Sequence, residues 1–236
     1  MPDRLRMVGK KWMREGEGSP PPDSGLRLFG YLVATHPGKF VATNLLFILF
    51  SLPVFTIPAA LCGLNRVLVK LILDGNVFLW AEFIREFKGS FRKGLLLGLI
   101  FGGGIFVAWY LLSLGVTNGE TLYALIFSAS GVSVLIAVTV LGGWTFVLLP
   151  MLPLGCAGIL KNALALSGLA MWRSVAMCVI LIGSGLFAIW LLPFSLIVTV
   201  FVQIAFTQYA VCFLTTGAVR QYIVEPWEAE EVHTKK

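Results

Sequence analysis

Long stretches without ionisable side chains dominate this sequence. Four of them contain no Asp, Glu, Lys, Arg or His, namely residues 40–64, 94–119, 121–160 and 174–219. A helix needs about 20 apolar residues to cross the hydrocarbon core of a bilayer, because each residue adds about 1.5 Å along its axis. Each stretch satisfies that length. The sequence therefore predicts an all-α fold, a polytopic helical transmembrane bundle.

The composition excludes several other classes of protein. Hydrophobic residues make up 58% of the chain and charged residues 13%, whereas soluble domains carry about 25% charged residues. The net charge of +6 lies on segments that flank apolar stretches, where cations set orientation or touch anionic headgroups. We therefore expect a lipid bilayer around the chain and no nucleic-acid partner.

Catalytic signals are missing from the sequence. His36 and His233 are isolated near the ends, and no phosphate loop or metal-ligand spacing is present. The four cysteines lie in apolar stretches without CxxC spacing, which is typical of small buried hydrophobic residues. Spans without ionisable groups also offer no proton or sodium relay. We expect no enzyme, no cofactor and no metal site.

The polar ends define the domain limits. Residues 1–25 are basic and contain Pro20, Pro21 and Pro22, a composition that cannot bury a core and predicts a disordered tail. Residues 26–222 are predicted to form a single transmembrane domain, and residues 223–236 a polar C-terminal tail.

Proline and polar residues divide the apolar stretches into spans. A turn at Asn118 is predicted to join the helices of residues 94–119 and 121–149 into an antiparallel hairpin. Pro150 and Pro153 should end the second helix, and residues 155–173 are predicted to be less regular. Pro193 should divide residues 174–219, which are too long for one span.

Basic residues set the predicted orientation, because they accumulate on the cytoplasmic side. Both residues 66–93 and the N-terminal region are rich in Lys and Arg, so residues 40–73 must cross twice to keep both segments inside. This hairpin would turn between Pro53 and Pro58, and Arg66 and Lys70 would snorkel to the inner interface. The result is six spans with both termini cytoplasmic. A five-span model with the N-terminus outside is the alternative.

Residues 76–93 are predicted to form one cytoplasmic amphipathic helix, with Asn76 as its cap. Phenylalanines recur at every fourth position, and charged residues occupy other faces. Two interpretations remain open, an interfacial helix that leads into the next span and a docking surface for a cytoplasmic partner. The candidate docking residues are Phe83, Arg85, Phe87, Lys88, Phe91 and Arg92.

Small and polar residues inside the spans suggest two further roles. Gly94, Gly98 and Gly102 share a helix face at four-residue spacing, which permits close helix packing within the bundle or in a homo-oligomer. Polar side chains inside the spans can hydrogen-bond between helices or line a polar interior site. The candidates for that interior site are Asn44, Gln203, Thr207 and Gln208.

The order of these elements resembles the YesL family of bacterial membrane proteins, a domain of unknown function. The resemblance rests on Asn44 in the first span, on the break at residues 52–58 with Thr56, and on the segment with Phe83, Phe87, Lys88 and Phe91 before a Gly-rich span. It covers residues 26–222. It implies a multi-pass protein of the bacterial inner membrane among carbohydrate-uptake systems, as an accessory to ABC-type sugar importers. It supplies no catalytic or binding residue.

Two hypotheses of function follow. The first is a non-enzymatic accessory or regulatory membrane subunit whose cytoplasmic helix contacts a partner such as a subunit of a sugar importer. The second is a small self-contained transporter or channel for an uncharged solute such as a sugar. Its selectivity would depend on Gln203, Gln208 and Asn44, because its spans lack the charges that other transporters use.

Overall fold

The computed structural model of this chain describes residues 25–117, 119, 121–190, 192 and 198–224. Within these residues the fold is all-α and polytopic, as predicted, and contains no strand. Its helices are α1 (Leu26–Thr35), α2 (Pro37–Ser51), α3 (Ile57–Asp74), α4 (Leu79–Thr117), α5 (Leu122–Met151), α6 (Cys156–Leu169), α7 (Met171–Trp190) and α8 (Ile204–Val219). A 3₁₀ turn at Val54–Thr56 precedes α3, and π-helical turns at Thr199–Gln203 and Arg220–Val224 flank α8.

The predicted break between α2 and α3 is confirmed. Helix α2 ends at Ser51, and α3 begins at Ile57 with a proline in its first turn. Between them Thr56 donates its hydroxyl to the carbonyls of Phe50 and Pro53, both at 2.6 Å, which ties the turn to the end of α2. The two helices then pack against each other as a hairpin.

Helix α3 is the most buried helix that is long and apolar enough to span a membrane. It packs against α2, α4, α5 and α8 and ends at Asp74, and Gly75, with a φ of 68°, forms a left-handed cap. The prediction that Arg66 snorkels to the interface is wrong. Arg66 is only 6% exposed, because its side chain turns inward toward partners on α4 and α5.

The predicted cytoplasmic helix and the following span form one continuous helix, α4. It begins at Leu79, not at Asn76, and runs for 39 residues, or about 58 Å. Asn76 instead accepts hydrogen bonds at its Oδ1 from the backbone N–H of Val77 and from Lys39 Nζ. Because α4 is much longer than the hydrocarbon core is thick, about 30 Å, its charged half must extend beyond the apolar layer if the other half spans it.

Helices α4 and α5 form a tight antiparallel hairpin, as predicted. A Cβ on Gly115 would lie 3.2 Å from the carbonyl of Ala124, and one on Gly131 would lie 3.1 Å from that of Ala108. Of the predicted turn, Asn118 and Glu120 lie outside the described residues, and Gly119 has a φ of 65°. Most of the apolar surface of this hairpin is exposed, as expected of helices that face lipid.

The segment after α5 is more regular than predicted. Pro150 lies in the last turn of α5, and only Leu152, Pro153, Leu154 and Gly155 separate that helix from α6. The prediction of an irregular segment at residues 155–173 is wrong, because Ile159, Ala163 and Leu166 give α6 a buried face at helical spacing. With 14 residues, or about 21 Å, α6 is too short to cross a bilayer.

By length and composition, five helices of the described residues can cross a membrane. They are Val54–Asp74, Leu79–Thr117, Leu122–Met151, Met171–Trp190 and Thr199–Ile223. A sixth is possible if α1 and α2, which meet at an angle of 80°, count as one broken span. The predicted break at Pro193 lies outside the described residues, as do residues 1–24 and 225–236 of the predicted tails.

Candidate functional site

Oppositely charged side chains of α3 and α4 meet inside the bundle. Arg66 Nε lies 3.4 Å from Glu82 Oε2, and Lys70 Nζ lies 2.8 Å from Glu82 Oε1. Arg85 also pairs with Glu82, from the next turn of α4. Glu86 is 2% exposed and accepts a hydrogen bond from Ser90. We call Arg66, Lys70, Glu82, Arg85, Glu86 and Ser90 the charge cluster.

Arg66 connects this cluster to a third helix. Its Nη1 donates to the carbonyl of Pro150, in the last turn of α5, at 3.1 Å. A buried guanidinium stabilises a fold only when it is both paired and hydrogen-bonded. Arg66 meets both conditions and so fixes the relative positions of α3, α4 and α5.

The neighbouring residue, Asn65, is fully buried and makes a second link to α5. Its Nδ2 donates to the carbonyl of Phe146 at 2.9 Å. That carbonyl lies four residues before Pro150, which has no backbone N–H to donate to it. Asn65 Oδ1 also accepts a hydrogen bond from Cys212 Sγ of α8 at 3.5 Å. Asn65 and Arg66 together therefore join the proline-containing end of α5 to the centre of the bundle.

The six candidate docking residues divide into two faces of α4. Phe83 is fully buried, and the ring of Phe50 lies 5.4 Å from that of Phe83 and 5.0 Å from that of Phe87, between ring centroids. Phe91 is half-buried and contacts Phe87. Arg85, Lys88 and Arg92 are exposed. The aromatic side chains thus hold α4 against the bundle, and the cations form its outer face.

The candidate interior residues fall into separate places. Asn44 is fully buried and satisfied by backbone, since its Nδ2 donates to the carbonyls of Thr199 and Val200 and its Oδ1 accepts from the N–H of Ala205. It therefore stabilises the π-helical turn before α8. Gln208 is also buried, and the hydrogen-bond partners of Asn44 within the described residues do not include it.

Gln203 and Thr207 do lie together, beside Ser184 of α7. Gln203 Nε2 donates to the Ser184 carbonyl at 2.8 Å, and the hydroxyls of Thr207 and Ser184 are 2.7 Å apart. They line an open groove of about 350 Å³ between α7 and the last candidate span. The groove is otherwise lined by Gly183, Phe187, Val198, Val202 and Phe206. This arrangement offers neutral hydrogen-bonding groups in a mostly apolar groove.

Two of the three candidate packing glycines lie at a helix contact. A Cβ on Gly94 would lie 3.4 Å from the backbone of Ala59, and one on Gly98 would lie 2.2 Å from Cγ of Pro58. A Cβ on Gly102 would have no such neighbouring atom within 4 Å. The absence of side chains at Gly94 and Gly98 therefore lets α4 approach the start of α3.

Sequence reasoning missed Asn65, Glu82, Glu86 and Ser90 as site residues. A usable signal was present, because Arg66 and Lys70 are four residues apart on one helix, and Glu82 and Glu86 are four residues apart on the next. Such spacing places each pair on one helix face. Opposite charges at equal spacing on adjacent antiparallel helices predict a cluster of ion pairs.

The charge cluster joins helices within the chain. Its carboxylates accept hydrogen bonds from cations and from Ser90, and these contacts position α3 and α4 relative to each other. Among the residues that the structure describes, no group of three or more His, Cys, Asp or Glu side chains is placed to hold a metal ion.

Fold and site together define a multi-pass helical bundle with an internal charge cluster at the base of its longest helix. In comparisons with known proteins, residues 40–111 match the model of a family described as "Protein of unknown function, DUF624". The matched region contains α3, the charge cluster and the exposed cations of α4. Searches of curated proteins and of solved structures found no match.

Proposed function

We propose that this chain is a non-enzymatic membrane subunit that acts as an accessory or regulatory component of another membrane complex. The observation that carries the proposal is that α4 has a buried inner face and an exposed, cationic outer face. Its inner face is fixed by the buried side chains of Phe83, Glu82 and Glu86, whereas Arg85, Lys88 and Arg92 face outward. A rigid helix with an exposed row of cations suits a partner with an acidic surface.

Lys88 and Arg92 are the residues of this row best suited to a partner. Arg85 already contacts Glu82, so its charge is partly committed within the chain. Lys88 and Arg92 are exposed, and no carboxylate within the described ranges lies in ion-pair distance of either. Their charge is therefore available to a partner at little desolvation cost.

The proposed partner is a subunit of a bacterial ABC-type carbohydrate importer in the cytoplasmic membrane. This step rests on the resemblance to the YesL family, with which the DUF624 match is consistent. The cationic face of α4 would then lie on the cytoplasmic side, with both chain termini, because basic residues are retained there. A cytoplasmic position is also where an importer carries its ATPase.

The test is co-purification of the tagged protein from its native membrane in mild detergent, followed by mass spectrometry. We expect importer permeases or ATPase with the natural chain and their loss from the double variant K88E/R92E. The matched control is R27E/K161E, which reverses two other exposed cations, on α1 and α6, and should retain the partners. Recovery of the natural chain alone, or as a homo-oligomer, would refute the proposal, as would equal recovery of partners with both double variants.

A second candidate function is transport of an uncharged solute, which the groove beside Ser184, Gln203 and Thr207 favours. Asn44 is unsuited to contact a solute, because its amide is occupied by backbone groups. Sugar flux into vesicles that contain the purified protein should exceed flux into empty vesicles and should fall in Q203L. The control Q221L changes an exposed glutamine outside the groove. Flux equal to that of empty vesicles excludes this function.

A further inference from the structure

The C-terminal part of the bundle has an unusual charge distribution. Residues 121–224 contain no Asp or Glu, and their Lys and Arg residues are Lys161, Arg173 and Arg220. Lys161 is on α6, Arg173 is in the first turn of α7, and Arg220 follows α8 directly. Arg173 also lies close to Gly217, near the end of α8. Two of these cations, Arg173 and Arg220, therefore lie at the same end of the α7–α8 pair.

The guanidinium of Arg173 lies over Gly217. Its Nη1 is 3.5 Å, and its Cζ and Nη2 are 3.9 Å, from the position that a Cβ would occupy there. Nη1 is buried and has no hydrogen-bond partner within the described part of the chain. A buried donor on a charged group without a partner is costly, so this position favours an acceptor supplied from outside the described residues.

The turn that carries Arg173 is held in place by a buried network. Trp144 Nε1 on α5 donates to Ser174 Oγ at 2.9 Å. Ser174 Oγ in turn contacts the carbonyl of Ser167, near the end of α6, at 3.1 Å. These contacts join three helices immediately beside Arg173. Its backbone is therefore fixed before any ligand binds, which lowers the entropy cost of binding.

Two exposed apolar side chains come directly before this cation in the sequence. Trp172 is 83% exposed and Met171 is 70% exposed, and both lie with Arg173 in the first turn of α7. Since α6 is too short to cross a bilayer, the first turn of α7 lies on the same side of the bundle as the end of α5. Exposed Trp next to cations is typical of the headgroup layer, where one side of the site is apolar and the other is wet.

We propose that Arg173 binds the phosphate of an anionic phospholipid, with Trp172 against the glycerol and acyl region of the same lipid. The guanidinium offers planar donors that match phosphate oxygens. A free phosphate would leave the exposed Trp172 and Met171 without a partner, whereas a lipid covers them. The site lies on α7, away from the cationic face of α4, and does not depend on the proposed accessory function.

The test is titration of the delipidated protein with phosphatidylglycerol and with phosphatidylcholine, followed by native mass spectrometry. We expect tighter binding of phosphatidylglycerol to the natural chain and about fivefold weaker binding in R173Q, since one cation near a membrane surface contributes about that factor. The control R27Q removes an exposed cation of α1 and should bind like the natural chain. W172A should also weaken binding of both lipids.

Three results would overturn the proposal. One is equal affinity of the natural chain for the two lipids, and another is unchanged phosphatidylglycerol binding in R173Q. The third is a thermal stabilisation by inorganic phosphate as large as that by phosphatidylglycerol, which would assign the site to the free anion. If R173Q does not fold, R173K replaces it, because it retains the charge and loses the planar donors. R173K should bind phosphatidylglycerol more weakly than the natural chain, and equal affinity would contradict the proposal.

Discussion

Asn65 on α3 compensates for the backbone N–H that Pro150 lacks on α5. The Phe146 carbonyl, whose helical partner would be residue 150, accepts a hydrogen bond from Asn65 Nδ2 at 2.9 Å. The adjacent Arg66 donates to the carbonyl of Pro150 itself. Asn65 and Arg66, two consecutive residues of α3, thus donate hydrogen bonds to two backbone carbonyls near the proline-containing end of α5. Asn65 and Phe146 are 81 positions apart in sequence. This contact fixes how α5 sits against the rest of the bundle.

Replacing Asn65 by Leu should destabilise the protein by about 1–3 kcal/mol, because it leaves a buried carbonyl without a donor. Thermal unfolding in detergent measures the effect. The second substitution P150A supplies a backbone N–H to the same carbonyl and should recover part of the loss. The control N162L removes an amide that hydrogen-bonds within its own helix, to the carbonyl of Gly158. It should destabilise the protein less than N65L does. If the double variant N65L/P150A is as unstable to heat as N65L alone, this explanation is contradicted.

Removal of Glu82 should be among the most destabilising single changes. Glu82 is buried and pairs with Arg66 and Lys70, and breaking a buried ion pair from one side costs about 3–5 kcal/mol. We expect E82Q to lower the unfolding midpoint strongly. In contrast, R85Q removes an exposed partner of the same carboxylate and should cost about 1 kcal/mol or less. A small effect of E82Q would show that the charge cluster contributes little to stability.

The glycines of α4 allow a matched comparison within one helix. In G98A the new methyl group would meet the ring of Pro58 at 2.2 Å, and overpacking of this kind costs about 1–3 kcal/mol. In G102A the methyl group enters open space, so the effect should lie within about 0.5 kcal/mol or be stabilising. Unfolding midpoints of the two variants give the comparison. Similar midpoints would argue against close contact between α3 and α4.

Labelling of introduced cysteines in intact cells will determine the orientation. In a C156A background, whose remaining cysteines Cys62, Cys178 and Cys212 are buried, K88C should react with a membrane-impermeant maleimide only after permeabilisation, and L122C should react from outside. Both sites are exposed in the structure. L26C then distinguishes the two span models, because six spans place it in the cytoplasm and five place it outside. Labelling of L26C in intact cells would favour the five-span model.

Local sequence signals predicted much of the helix pattern. Charge-free length predicted α4, α5, α7 and α8, since apolar residues in sufficient number favour helices that can cross a bilayer. Pro53 and Pro58 predicted the break before α3 because proline cannot continue a helix. The same local reasoning wrongly divided α4 into a cytoplasmic helix and a separate span. A change from charged to apolar residues along a helix indicates a change from aqueous to apolar surroundings, but it does not end the helix. No proline interrupts residues 79–117, so the helix continues.

The sequence by itself determined the class of fold and the positions of most helix ends, because apolar length and proline act within a few residues. Only the tertiary structure decided which polar side chains meet. Arg66 was expected at an interface, yet it is buried because Glu82 and the Pro150 carbonyl approach it from two other helices. Phe83 was expected on a docking face, yet it packs against Phe50. Such pairings depend on the rotation and crossing of helices distant in sequence, which hydrophobic periodicity alone does not specify.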